Sequence, residues 1–335
     1  MRVAFTAPAA VLALAAGASV SSCAADGGAG GRGPEVRGRA TAPVERLRVE
    51  VLQTLPHDPE AFTQGLEMAH GTLYESTGIA GRSAIASGRP GAPPARRVPL
   101  PAPLFGEGIT VIGPTLWQLT WRDGVAIERD TGTLAELRRV PYDREGWGIC
   151  HQPHRGRLVT SDGSSRLDFR DPATLRRKGS VVVTLDGRPV DRLNELECVG
   201  DTVYANVWTT DRIVRIDAGT GRVTADIAAS GLLGAAERRR ADVLNGIAAV
   251  PGTGQFLLTG KWWPKMFRVR FVPTAHAPGP SGAAPRSPAA TVRTPAATVR
   301  SPTAFAPSPA ATVRPPTTFA PSPTATVQSP TTTVR

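Results

Sequence analysis

Glu107 sits in Phe105-Gly106-Glu107-Gly108-Ile109, a charged side chain in an otherwise small and apolar stretch. A carboxylate held there needs a dedicated partner, and a positioned carboxylate can carry a proton between reacting groups. Related phrases occur at five places: TQGLEMAHGTLYESTG from Thr63, GEGITVIGPTLWQLTW from Gly106, GWGICHQPHRGRLVTSDG from Gly146, NELECVGDTVYANVW from Asn194 and LNGIAAVPGTGQFLLTGK from Leu244. Gln64, Glu107, Trp147, the Asn194-Glu195 pair and Asn245 fall at one repeated point; Gly78, Trp121, Gly163, Trp208 and Lys261 fall at a second. Taken singly, each is ordinary: Trp is usually core in a β protein, and Asn beside Gly is usually a turn. Gathered together they offer an acid/base group, amides and a cation for developing negative charge, and aromatic walls.

Each phrase reads as a tight small-residue start, a turn and an apolar strand. Taking Gly65, Gly108, Gly148, Leu196 and Gly246 as equivalent, the steps are 43, 40, 48 and 50 residues. That is the period of a four-stranded propeller blade. The sequence therefore predicts an all-β fold, a five-bladed β-propeller over residues 46–272, whose equivalent positions converge on a central axis. Strands rich in Val, Ile, Leu, Thr and Trp between Gly, Asp and Pro turns agree. Leu47 to Leu55 is placed to add a strand to the last blade and hide two sheet edges. An irregular β-sandwich is the competing fold.

The two ends differ from this core. Residues 1–22 read as a signal segment, with Arg2 ahead of an apolar, Ala-rich run. Val20-Ser21-Ser22-Cys23 is similar to a bacterial lipobox, which makes Cys23 the candidate lipidation site; an ordinary secretory cut near Ala24 is the alternative. The expectation is an exported protein on the outer side of the cytoplasmic membrane, held there only through a lipid anchor, or else secreted. Residues 23–45 read as a flexible linker. Residues 273–335 contain no Asp, Glu or Lys and repeat phrases such as SPAATVR and TPAATVR, which predicts a disordered tail.

The net charge of +11 belongs partly to these ends, since Arg46 to Val272 holds 30 basic and 25 acidic residues. No nucleic-acid-binding pattern appears, and Arg176-Arg177-Lys178 and Arg238-Arg239-Arg240 are the basic runs of that span. Cys150 and Cys198 lack metal or CxxC spacing; a disulfide between them is possible, and two small buried hydrophobes are the more ordinary arrangement.

Ten ordered motifs carry a resemblance: AFTQGL, LYESTG, FGEGIT, LTW, EGWGI, SDGSS, LNELE, ANVWTTDRI, LNGIA and TGKWWP. Together they resemble the plant and bacterial glutaminyl cyclases, glutaminyl-peptide cyclotransferases with a five-bladed propeller. The resemblance implies conversion of an N-terminal glutamine to pyroglutamate with release of ammonia, on peptide or protein substrates, without a metal cofactor; a monomer is the separate expectation. It places the general acid/base on Glu107. It places substrate-binding and polarising positions on Phe62, Gln64, Phe105, Trp121, Trp147, Asn194, Trp208 and Lys261. A structural cation in the propeller channel stays an open alternative. Ser87 to Pro99, SGRPGAPPARRVP, departs from the pattern and predicts irregular outer strands in the first blade.

Two other functions compete. A non-catalytic surface propeller could bind peptide ends or glycans in an aromatic funnel, although that needs no paired acid and cation. A calcium-dependent propeller hydrolase would want several axis-facing oxygen ligands, where Trp121, Trp208 and Lys261 would crowd and repel a cation.

Overall fold

The computed structural model describes residues 42–274, so the expected signal segment, Cys23, most of the expected linker and most of the expected tail lie outside the described residues. The described residues are almost all β. After β1 (Glu45–Pro56), the chain forms a first sheet from β2 (Thr63–Ala69), β3 (Thr72–Thr77), β4 (Ala84–Gly88) and β5 (Arg96–Pro99). A second follows from β6 (Gly106–Ile112), β7 (Thr115–Thr120), β8 (Val125–Asp130) and β9 (Glu136–Pro141). A third contains β10 (Ile149–Gln152), β11 (Arg157–Thr160), β12 (Arg166–Arg170) and β13 (Arg177–Val182). A small hairpin, β14 (Thr184–Leu185) and β15 (Arg188–Pro189), precedes β16 (Leu193–Val199), β17 (Thr202–Val207), β18 (Arg212–Asp217) and β19 (Val223–Ala228). A four-residue helix, α1 (Ala235–Arg238), leads to β20 (Leu244–Val250), β21 (Gln255–Gly260) and β22 (Lys265–Pro273).

β1 joins the two last groups into one eight-stranded sheet. It lies antiparallel to β22 from Leu47↔Pro273 to Pro56↔Lys265 and parallel to β19 from Glu45↔Ala225 to Arg48↔Ala228. The strand expected from Leu47 to Leu55 therefore covers one edge on each side, which removes two templates for unwanted pairing.

The packing runs around a nearly closed, propeller-like circuit. Tyr74 and Ile85 of the first sheet meet Ile109, Val111 and Leu116 of the second. Trp117 and Leu119 meet Ile149 and Leu158 of the third, whose Val159 and Leu167 meet Leu196 and Val203. Ile213 and Ile227 then pack on Leu244, Phe256 and Phe267, and Leu257 and Met266 return to Leu66 and Leu73 of the first sheet. Inner strands are almost fully buried, whereas β5, β9 and β13 are mostly exposed, as alternating burial from axis to rim requires.

Local chemistry repeats with the sheets. Asp130, Asp171 and Asp217 each accept from a backbone N–H and the hydroxyl of the Thr three residues on, closing the turn between third and fourth strands. Close approach at the axis needs small residues. A Cβ on Gly108 would lie 2.5 Å from the Trp147 carbonyl oxygen, and one on Gly148 would lie 2.2 Å from that of Asn194.

Three expectations change. The residue in register with those glycines in the fourth sheet is Glu195, not Leu196, because Ile109↔Gln118, Ile149↔Thr160 and Leu196↔Ala205 are the matching pairs. Cys150 and Cys198, one register position apart on adjacent inner strands, form a disulfide with Cα atoms 5.4 Å apart. The outer strands of the first sheet pair without a bulge from Ala84↔Pro99 to Ser87↔Arg96, so the Pro and Gly residues between them shape a loop rather than disrupt the strands.

Candidate active site

The ring at the axis is made by residues at the starts of the inner strands. Gln64, Glu107, Asn194 and Asn245 stand directly before the close-packed positions Gly65, Gly108, Glu195 and Gly246, and all four are buried. Trp147 holds the same place before β10. Gln64 Nε2 donates to Glu107 Oε1 at 3.0 Å, and Asn245 Nδ2 donates to the Thr63 carbonyl at 3.0 Å. The side-chain oxygens of Asn194 and Asn245 and the nitrogen of Asn206 are buried without a hydrogen-bond partner.

Above the ring, Trp121, Trp208 and Lys261 follow the second strands of their sheets. Backbone hydrogen bonds fix them: Trp121 N–H to Phe105, Trp208 N–H to Arg192 and Lys261 N–H to Val243, at 3.0, 2.8 and 3.0 Å. Gly78 and Gly163 occupy the matching places because space is needed there. A Cβ on Gly78 would lie 2.3 Å from the Phe105 ring, and one on Gly163 would lie 2.7 Å from the Trp147 ring.

The aromatic side chains form a connected series. Trp262 lies 4.8 Å from Phe62 between ring centroids, Phe62 lies 6.2 Å from Phe105, and Phe105 lies 5.6 Å from Trp121. Trp147 and Trp208 meet edge to face at 5.6 Å. Glu145 joins the two groups: its Oε2 accepts the indole N–H of Trp121 at 3.1 Å and of Trp147 at 3.3 Å, while Oε1 accepts from Arg122 at 2.7 Å. Every residue carried forward from the motifs is thus brought to one end of the axis. Glu145 and Trp262 were missed as site residues although EGWGI and TGKWWP contain them; an acidic residue two before a Trp and a second Trp after Lys261 were the available signals.

Electrostatics separate the groups further. Burial pushes the Glu107 carboxyl well above the usual carboxylate range; the Lys261 charge opposes this and Glu145 adds to it. Burial likewise lowers Lys261, with Glu107 and then Asp242 favouring its charged form. Lys261 Nζ stands 4.8 Å from the Phe62 ring centroid, so the cation also faces an aromatic π cloud. Glu195, expected beside Asn194 in the ring, is committed elsewhere: its two oxygens accept the backbone N–H groups of Leu66 at 3.2 Å and Ile247 at 2.7 Å. Away from the ring, His57 Nε2 pairs with Glu75 at 3.0 Å. Burial opposes charge on both, and their attraction overcomes it, holding His57 above and Glu75 below its ordinary value. Among the described residues, no group of three or more His, Cys, Asp or Glu is arranged to hold a metal ion.

The sequence profile of the glutamine cyclotransferase family matches residues 21–271. The chain belongs to the glutamine cyclotransferase family. It is 36% identical over 239 residues to a glutaminyl-peptide cyclotransferase of Arabidopsis thaliana, covering 66% of this chain and 71% of that one. The crystal structure of Myxococcus xanthus glutaminyl cyclase is similar at a TM-score of 0.63 and 36% identity, over 69% of this chain and 100% of that chain.

Proposed function

We propose that this member of the glutamine cyclotransferase family is a glutaminyl-peptide cyclotransferase, built as a five-bladed propeller with its reaction centre at Glu107. The observation that carries the reading is the buried carboxyl of Glu107, which accepts an amide N–H from Gln64 and feels the charge of the buried Lys261 at the axis of a glutaminyl-cyclase-like fold.

The α-amine of an N-terminal glutamine attacks the carbon of its own side-chain amide. The new C–N bond closes the five-membered lactam, the old C–N bond breaks, and ammonia leaves. The attacking nitrogen must lose a proton and the departing nitrogen must gain one. Glu107 takes the first and returns it to the second. A carboxyl whose proton affinity is raised by burial lies closer to that of an α-amine, near pKa 7.7–8.0 in an unperturbed chain, which favours transfer in both directions.

Lys261 is placed to oppose the negative charge that gathers on the amide oxygen. Gln64 is less available for that role, since its N–H group is donated to Glu107. The unpartnered oxygens of Asn194 and Asn245 are acceptors for the amine or amide N–H of a bound glutamine, which would relieve a desolvation cost of about 1–3 kcal/mol apiece. Phe62, Phe105, Trp121, Trp147 and Trp208 wall the pocket, exclude water and hold the side chain folded back on its amine, an arrangement that lowers the barrier by orientation. No metal ion enters this scheme. The sequence of residues 1–23 supports export and lipid attachment at Cys23, and the monomeric state is part of the same proposal.

The test is ammonia release from short glutaminyl peptides by the purified chain, with mass spectrometry of the peptide. Loss of one ammonia per peptide, unaffected by chelators and slowed at least about 10²-fold in Glu107→Gln, is the expected result. Saturable binding of the peptide without ammonia release would replace the enzyme with a binding funnel.

A further inference from the structure

We propose that the cleft beside Trp262 is a second part of the substrate site, and that it receives an acidic residue following the reacting glutamine. This rests on the cyclotransferase reading of the ring. Trp262 is the link between the two places. One side of its indole packs on Phe62, the ring that faces Lys261. Trp262 also lines a cleft of about 860 Å³ together with Pro59, Pro264, Arg82, Arg239 and Arg240. That volume lies within the range of sites that enclose organic ligands.

Reaction at the first residue of a peptide leaves the rest of the chain to run outward from the axis. An extended chain advances about 3.3–3.6 Å per residue, so the residues just after the glutamine are the ones that pass the rim. An indole shared between the pocket wall and the cleft gives them a continuous surface to follow.

The cleft's charges say what it selects. Its two carboxylates are already engaged: Glu60 with Arg82 at 3.0 Å, and Glu237 with Lys265 at 2.6 Å and the backbone N–H of Gly234 at 3.0 Å. Of the run Arg238-Arg239-Arg240, Arg238 pairs with Asp211. Among the described residues, Arg239 and Arg240 have no ion-pair partner, and both are exposed in the cleft. Two uncommitted guanidinium groups beside an indole fit a carboxylate, which a guanidinium can hold through paired N–H donors. They disfavour Lys or Arg at the same place.

The experiment compares kcat and KM for short amidated peptides that begin with Gln and carry Ala, Glu or Lys at each of the second to fifth positions. It uses the full chain and an Arg239→Glu/Arg240→Glu variant, whose altered residues lie outside the reacting ring. At one or two positions Glu should lower KM about fivefold relative to Ala with kcat unchanged, the size expected for exposed charge pairs. Lys should raise KM there. The order of Glu and Lys should invert in the variant, and the preference should shrink at roughly 0.5 M salt, where exposed charges are screened.

The all-Ala peptide separates the two levels of the argument. Turnover of that peptide without any charge preference, or a preference that survives unchanged in the variant, overturns the acidic-residue cleft and leaves the cyclotransferase standing. Arginine substitutions that weaken binding to anionic lipid vesicles while leaving peptide preferences intact also overturn it, in favour of a membrane contact. No ammonia from any peptide removes the cyclotransferase reading and this inference with it.

Discussion

Glu107 and Glu195 are buried carboxyls on inner strands of the same channel, and they are held in different ways. Glu107 receives one side-chain amide, faces a buried lysine and lies among unpartnered amide oxygens. Glu195 occupies a place where the four other inner strands carry glycine, and it accepts two backbone N–H groups, from Leu66 of β2 and Ile247 of β20. Burial raises both above the ordinary carboxylate range, but only Glu195 has that cost offset mainly by backbone donors. A carboxyl with both oxygens saturated by backbone ties sheets together; one with spare lone pairs and a cation nearby can exchange a proton. Perturbed proton affinity alone would not have separated them.

The comparison predicts opposite outcomes for matched substitutions. Glu107→Gln should lower kcat by about 10²–10⁴-fold, the usual contribution of a general acid/base, with a melting temperature unchanged or raised. Comparable losses of turnover and stability in that variant would break the distinction. Replacing Cys150 and Cys198 by Ser is a purely structural reference. It opens a link across 48 residues and should cost about 4 kcal/mol by chain entropy, measured by denaturant unfolding, with KM for a glutaminyl peptide unchanged. Glu195→Gln should resemble the disulfide variant. It sets an amide N–H₂ against backbone donors and should cost about 1–3 kcal/mol of stability, leaving kcat of the folded fraction within a few-fold.

Glu145 lies between the two extremes. Glu145→Ala removes the acceptor for two indoles and should lower kcat/KM by about two- to tenfold, the worth of a typical hydrogen bond. Its negative charge also raises Glu107. Without it the Glu107 carboxyl ionises more readily, so the rising limb of the kcat/KM profile should move to lower pH. A limb that does not move would show that Glu145 only positions the rings.

A further contrast among the buried carboxyls is the effect of pH on stability. Burial pushes Glu67 from an ordinary carboxylate value up to about 8, against a hydrogen bond from the Val111 N–H. The folded state then keeps a proton that the unfolded chain releases above about 4.5, so stability falls as pH rises from about 4.5 to about 8. Glu67→Gln should flatten part of that slope in melting temperatures taken across the window, the remainder belonging to Glu195 and Glu197, which burial also raises.

Much of this was legible along the chain because strand repeats leave a period. The returning phrases marked the inner strands, and the residues at their starts form the ring. What failed did so where a single residue decides a register. LNELEC could be aligned on Leu196 or on Glu195, and only the pairing of Leu196 with Ala205 chooses. The same shift hid the offset that brings Cys150 and Cys198 together. Ser87 to Pro99 misled for another reason: Pro and Gly between two short strands are compatible with a loop that leaves the pairing intact. Glu145 and Trp262 were read as motif flanks, because their contacts are with residues that the chain does not bring near them in sequence.

By itself the sequence determined the repeat, the strand composition, the residue types at the axis and the family's motifs, since each depends on local spacing. Tertiary structure decided which carboxyl is tied by backbone and which is left with free lone pairs, how far burial raises each, which two cysteines meet, and which arginines at the cleft lack partners. Those properties depend on desolvation and on neighbours contributed by other sheets, and both come into being only when the sheets close around the axis.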